Sequence, residues 1–208
     1  MNELALTHLG RVDPVLRRVI REIGPCSLEP QPRRAPFESL VRAVAHQQLH
    51  GKAAETILGR FLAHFPDRKF PRPADLAALS DEAIRAAGFS GAKLRAIRDI
   101  AEKAQAGVVP TAGRIAKLSD DEIIARLTEC RGVGRWTVEM LLIFQLGRPD
   151  VLPADDFGVR EGYKHAYKLP AQPKPKDLLA YGERWAPHRT TAAWYLWRVA
   201  DRAKVTAP

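Results

Sequence analysis

The chain has 208 residues, a formal charge of +9, and 46% hydrophobic against 27% charged residues. That is enough apolar material for one sizeable core or two small lobes, and the positive charge points to a polyanionic partner, since cationic side chains gain affinity for nucleic acid by releasing its counterions. Two cysteines exclude a disulfide framework and are too few for the thiolates of an iron–sulfur cluster; with no long apolar run and no basic-then-apolar N-terminus, neither a membrane span nor a signal peptide is expected, and a cytoplasmic setting is.

In chain order the hydrophobic period is helical. Asp13-Pro14 is a helix start, and Val15 to Ile23 alternates apolar and basic faces behind it. Phe37 to Gln48 and Ala53 to Phe65 read as two helices joined at Leu49-His50-Gly51. The spacing His46-Gln47-Gln48-Leu49-His50 imitates a zinc-protease helix. Gln47 stands where that chemistry needs a glutamate base, and no acidic third ligand follows, so a metalloprotease is rejected.

Ser80-Asp81-Glu82 opens a short helix ending at Gly88, and Ser119 with Glu122 forms a capping box that opens another. The stretches from Leu79 to Lys93 and from Leu118 to Trp136 repeat one order of cap, short helix, turn and longer helix, a weak internal duplication. Proline-rich stretches at residues 30–36, 66–73 and 170–175 are short enough to be loops rather than tethers. Alternation of period two is absent, so an all-α protein is predicted.

The most informative segment is Leu127-Thr-Glu-Cys-Arg-Gly132-Val-Gly134-Arg-Trp136-Thr137, where a helix stops at a glycine hairpin and restarts. A new helix N-terminus aims unpaired N–H groups outward, where the dipole also favours an anion. Gly132 and Gly134 are both expected to allow positive φ and close approach of a ligand, with Val133 plugging the hairpin into the core. A buried helix follows to Leu146, closed by Gly147, and the chain then reaches Leu152-Pro-Ala-Asp155-Asp156-Phe157, where one carboxylate is placed to cap a helix running from Phe157 to Lys168.

These motifs resemble the helix-hairpin-helix base-excision superfamily, and Gly132-Val-Gly-Arg-Trp-Thr with Pro153-Ala-Asp-Asp-Phe is most similar to its 3-methyladenine DNA glycosylase II branch. Further matches lie in Phe37 to Ala54, Gly88 to Ile97, and Glu183 to Trp197. The resemblance implies a two-lobed helical bundle, one lobe near residues 36–147 and the other from 1–35 with 148–208, and a DNA-binding cleft between them. The larger family form carries a β-rich domain before the helices, and this chain is expected to lack it.

What the resemblance implies chemically agrees with the residue types. Breaking an N-glycosidic bond builds positive charge on the sugar, which a nearby carboxylate stabilises. Asp156 is the catalytic candidate; Asp155 is then the cap or a structural partner, with the reverse assignment open. Superfamily members that also cut the strand place a Schiff-base lysine where this chain has Trp136, so a monofunctional glycosylase without lyase activity is expected. Trp136 and Trp197 match the family's pocket aromatics, and a cationic alkylated purine favours such rings; Met140 stands where relatives often carry an aromatic.

Gly132, Gly134, Arg135 and Thr137 are the expected DNA-backbone contacts, and Gln48 with Leu49 the wedge that fills the gap left by an everted base. By the same resemblance the carbonyls of Thr128, Cys130 and Val133 hold a monovalent sodium or potassium ion. No side-chain metal site and no other cofactor is expected. The partner is double-stranded DNA containing alkylated bases, bound by a monomer, with no membrane involved. The alternatives are a non-catalytic DNA-binding module and a glycosylase for another damaged base.

Overall fold

A computed structural model describes residues 3–30 and 34–206, so residues 31–33 of the first proline-rich stretch lie outside the described residues. The described residues form α-helices, one 3-10 turn and no strand, as the helical periodicity predicts. None of these helices is long and apolar enough to cross a membrane. The chain divides into two compact units, Met1–Pro32 with Leu142–Pro208, and Arg33–Leu141. The division falls inside a helix, Arg135–Phe144, rather than at Gly147.

The first unit holds α1 (Glu3–Val12) and α2 (Pro14–Ile23). Asp13 ends one and begins the other. Its Oδ1 accepts the N–H groups of Val15 and Leu16 at 2.9 and 3.1 Å, which caps α2, while the proline at its first position has no N–H that needs an acceptor. Its Oδ2 accepts the Tyr167 hydroxyl at 2.5 Å and the Trp185 indole N–H at 2.9 Å, so this fully buried carboxylate has both oxygens satisfied. Tyr163, Tyr167, Tyr181 and Trp185 pack ring against ring beside it.

The second unit runs from α3 (Pro36–His46) and α4 (Gly51–Leu62) through α5 (Pro73–Ala78) and α6 (Asp81–Ala86) to α7 (Gly91–Gln105). The α3 helix stops at His46, two residues before the expected end, because Gln48 takes a left-handed φ of 56°. The α7 helix is the centre of the unit, packed on α3, α5 and α6. Arg98 on α7 donates to the carbonyls of Leu76, Ala77 and Leu79 and pairs with Asp81, which satisfies the last carbonyls of α5.

Then come α8 (Ala112–Ile115) and α9 (Asp120–Leu127), which opens with the predicted capping box: Ser119 accepts from the Glu122 N–H, and Glu122 accepts from the Ser119 N–H. The suspected duplication is visible in the backbone. Gly88 and Gly132 both have positive φ, each precedes a buried apolar residue, Phe89 or Val133, and two residues later α7 starts at Gly91 just as α10 (Arg135–Phe144) starts at Arg135.

Beyond α10 the first unit resumes with α11 (Phe157–Ala166), α12 (Pro175–Gly182), a 3-10 turn at Glu183–Trp185 and α13 (Arg189–Thr206). The α11 helix ends two residues short of the expected Lys168, which takes φ 55°. Helices α11 and α13 lie in direct backbone contact at Gly162, where a Cβ would sit 1.8 Å from the carbonyl oxygen of Leu196. Only glycine permits that approach. Gly162→Ala is therefore expected to destabilise the protein by about 3 kcal/mol, the upper end for overpacking because the obstacle is backbone, as a lowered urea midpoint would show.

The tyrosines make a second prediction. Burial pushes the phenols of Tyr163 and Tyr195 up to about 12, and burial together with Asp13 pushes Tyr167 still higher. A phenol whose pKa is raised by folding holds its proton more tightly in the native state, so its stabilisation is complete below about pH 10 and lost as pH rises towards the folded value. The urea midpoint is expected to fall between about pH 10 and 12, with phenolate absorbance appearing together with unfolding.

Candidate functional site

In the second unit the hairpin spans Thr128 to Gly134, between α9 and α10. It closes on itself through Cys130 N–H to the Leu127 carbonyl and Val133 N–H to the Cys130 carbonyl, at 3.1 and 3.0 Å. Val133 is buried, as expected of a plug. Gly132 has φ 75°, but Gly134 does not share this conformation, so the expectation of positive φ at both is corrected to Gly132 alone. A Cβ on Gly134 would meet nothing within 4 Å in this chain.

Helix α7 supports the hairpin from behind. Asp99 accepts the Arg131 N–H at 2.7 Å, Lys103 donates to the Glu129 carbonyl at 2.7 Å, and the two side chains pair with each other at 2.9 Å. Burial opposes the charge on Asp99, yet Lys103 and the Arg131 N–H hold its carboxyl below the usual range. Burial pushes the Cys130 thiol up to about 11, so it stays a neutral apolar filler rather than a reactive thiolate.

At the start of α10, Arg135 is exposed and pairs with the buried Glu139 at 2.9 Å. Thr137 is buried, so its side chain belongs to the interior and only its backbone lies at the helix start. Trp136 is 47% exposed, unusual for so large a ring. Met140 and Phe144 follow at one-turn intervals on the same helical stripe, Met140 half-buried and Phe144 42% exposed. The α3–α4 turn leaves Gln48, Leu49 and His50 exposed, while His46 lies 3.1 Å from Glu55. Among the described residues no cluster of His, Cys, Asp and Glu would hold a metal.

In the first unit, Asp156 itself caps α11. Its Oδ1 accepts the Val159 N–H at 2.8 Å and also the indole N–H of Trp197 at 2.8 Å. Asp155 is exposed and takes no part in the cap, so its expected capping role is corrected: the helix begins one residue later than that role requires. Donors from two helices converge on Oδ1 and anchor that oxygen of Asp156 at the positive end of α11.

Trp197 stacks on Phe144 with ring centres 5.6 Å apart and planes 27° apart. Gly158 makes room, since a Cβ there would fall 2.9 Å from Trp197 Cδ1. On the same helix Trp194 and Tyr195 are buried, so the aromatic-rich α13 is core at those positions and half-exposed at Trp197. Sequence reasoning missed Phe144 and Gly158. The register of Trp136, Met140 and Phe144 on α10 was the available signal for the first; Gly158 left none, because its neighbour is remote in sequence.

A carboxylate held in this way can stabilise a developing positive charge, and a hairpin of this form opens a helix towards an anion. Residues 41–188 match the HhH-GPD superfamily of base excision DNA repair proteins. The chain is 43% identical to DNA-3-methyladenine glycosylase 1 of Schizosaccharomyces pombe, over 97% of this chain and 89% of that one. A solved 3-methyladenine DNA glycosylase of the same yeast, in complex with abasic DNA, superposes with a TM-score of 0.84 at 42% identity, covering 98% of this chain and 99% of that one. A solved DNA-3-methyladenine glycosidase of Bacillus halodurans superposes with a TM-score of 0.87 at 33% identity, covering 99% and 92%. The chain belongs to the HhH-GPD superfamily of base excision DNA repair proteins.

The cap at Asp156 generates a prediction on stability alone. Asp156→Ala removes the acceptor for Val159 and Trp197 and is expected to cost about 1–2 kcal/mol. Asp156→Asn keeps an oxygen at that place and is expected to stay within about 0.5 kcal/mol of the parent, asparagine being as good a cap. Parallel urea titrations of the two variants test the difference.

Proposed function

We propose that the protein is a monofunctional DNA glycosylase that hydrolyses the N-glycosidic bond of alkylated purines, of the 3-methyladenine and 7-methylguanine class, and leaves an abasic site in double-stranded DNA. The observation that carries this reading is the Asp156 carboxylate, held by Val159 N–H and Trp197 Nε1–H at the N-terminus of α11. A DNA-binding module has no use for a fixed negative charge, which repels phosphate; a glycosylase needs one beside the sugar. The names of the relatives support the substrate class.

In this reading the base leaves as the C1′–N bond breaks, Asp156 stabilises the cationic sugar, and water adds to C1′ while its proton passes to the carboxylate or solvent. Trp136, Met140 and Trp197 are the surfaces offered to the base, and the exposed Trp136 ring suits a cationic purine. An indole has no amine to form a Schiff base, so the strand is left uncut. Gly132, Gly134, Arg135 and the backbone of Thr137 meet the phosphodiester. The open space at Gly134 supports this, because nothing inside the chain requires glycine there and an approaching backbone would.

Gln48 and Leu49, exposed at the α3–α4 turn, fill the gap left by the base, and one monomer suffices. The hard oxygens of the Thr128, Cys130 and Val133 carbonyls suit a sodium or potassium ion. Cys130 accepts one hydrogen bond and keeps a second lone pair, and such an ion would supply positive charge next to phosphate.

Incubation with DNA methylated by an alkylating agent is expected to release free 3-methyladenine or 7-methylguanine, seen by chromatography, with no strand scission before alkali. Asp156→Asn is expected to bind the same DNA with unchanged affinity and to lose about 10²–10³-fold in single-turnover release. Equal release by variant and parent would remove Asp156 from the chemistry.

A further inference from the structure

The α3–α4 turn and the hairpin are 85 residues apart in sequence, yet one side chain joins them. Gln47 caps α3, and its Nε2 donates to the carbonyl of Gly132 at 2.8 Å. Each of the two partners is also tied to α7: Lys93 donates to the Ala45 carbonyl at 2.8 Å, while Asp99 and Lys103 hold Arg131 and Glu129. The Gln47 bond closes a triangle whose sides are the end of α3, the hairpin and α7. Next to it stands Gln48, a non-glycine residue at φ 56°, a conformation that costs about 1 kcal/mol or more and persists only where the surroundings hold it.

We propose that Gln47 is the positioning residue that locks the Gln48–Leu49 turn to the hairpin, so that opening of the duplex by the turn and holding of its backbone by the hairpin occur as one movement. This rests on the function proposed above for the two elements. Gln47 touches neither base nor phosphate in this scheme; it sets how far Gln48 reaches when the hairpin is seated. Without the strut the hairpin still grips phosphate, but the turn yields under the stacked bases instead of parting them. The loss then appears where eversion is costly and disappears where the lesion is already unpaired.

The test compares Gln47→Glu, a near-isostere without the donor, and Gln47→Ala, which removes the donor without adding charge, with the parent protein. Gln47→Lys restores a donor. Two duplexes carry 7-methylguanine, one opposite cytosine and one opposite an abasic site. A third carries an abasic site flanked by 2-aminopurine, whose fluorescence rises when it unstacks. Both donorless variants are expected to lose about fivefold in release from the paired lesion, the worth of one net hydrogen bond, to stay within about twofold on the unpaired one, and to give a weaker 2-aminopurine signal at saturation. Their melting temperatures are expected to fall by no more than about 2–4 °C, the salt dependence of binding by Gln47→Ala to match the parent, and Gln47→Lys to recover most of the signal.

Equal losses on both lesions, or an undiminished 2-aminopurine signal, would overturn the proposal. A parent protein that releases no base from either lesion refutes the glycosylase reading instead, and the fluorescence of the abasic duplex still decides the strut. If the parent itself fails to brighten the probe, the turn does not open the duplex and the strut has nothing to position.

Discussion

The contact between α11 and α13 at Gly162 governs the candidate chemistry. Two helices normally stand apart by the width of their side chains; here the backbone of one touches the carbonyl of Leu196 on the other. The closeness at Gly162 is what lets Trp197, the residue after Leu196, reach across to Asp156 at the start of α11, and Gly158 clears the last obstruction. The carboxylate therefore owes its orientation to glycines that have no chemistry of their own. Evolution of such a site is constrained at positions that touch no substrate.

The same logic separates what the sequence announced from what it concealed. Asp13-Pro14, the Ser119–Glu122 capping box, the buried Val133 plug and the all-helical architecture were legible because each is decided within a few residues, by propensity and by local hydrogen bonds. The choice between Asp155 and Asp156 as cap was not, since it turns on a single peptide at the helix start. The Trp197 bond to Asp156 spans 41 residues and the Gln47 bond to Gly132 spans 85, and no periodicity encodes either.

The hairpin shows how an exposed loop is kept rigid. Gly132 and Gly134 are exposed, and the loop is held by an ion pair, Asp99 with Lys103, each of which also bonds to hairpin backbone. An ion pair on an open surface contributes little to stability, but one whose members each carry a second hydrogen bond fixes geometry. Preorganisation of this kind spares a partner the entropy of ordering the loop on binding.

The two turn-and-helix repeats differ in the residue that precedes the helix. At the start of α7, Ser90 folds its hydroxyl back onto the Lys93 N–H, so that helix quenches part of its own positive end. The matching position before α10 is Gly134, which carries no hydroxyl to turn inward. One turn thus carries a side-chain acceptor for the helix it opens, and the other leaves that place to a residue with no side chain at all.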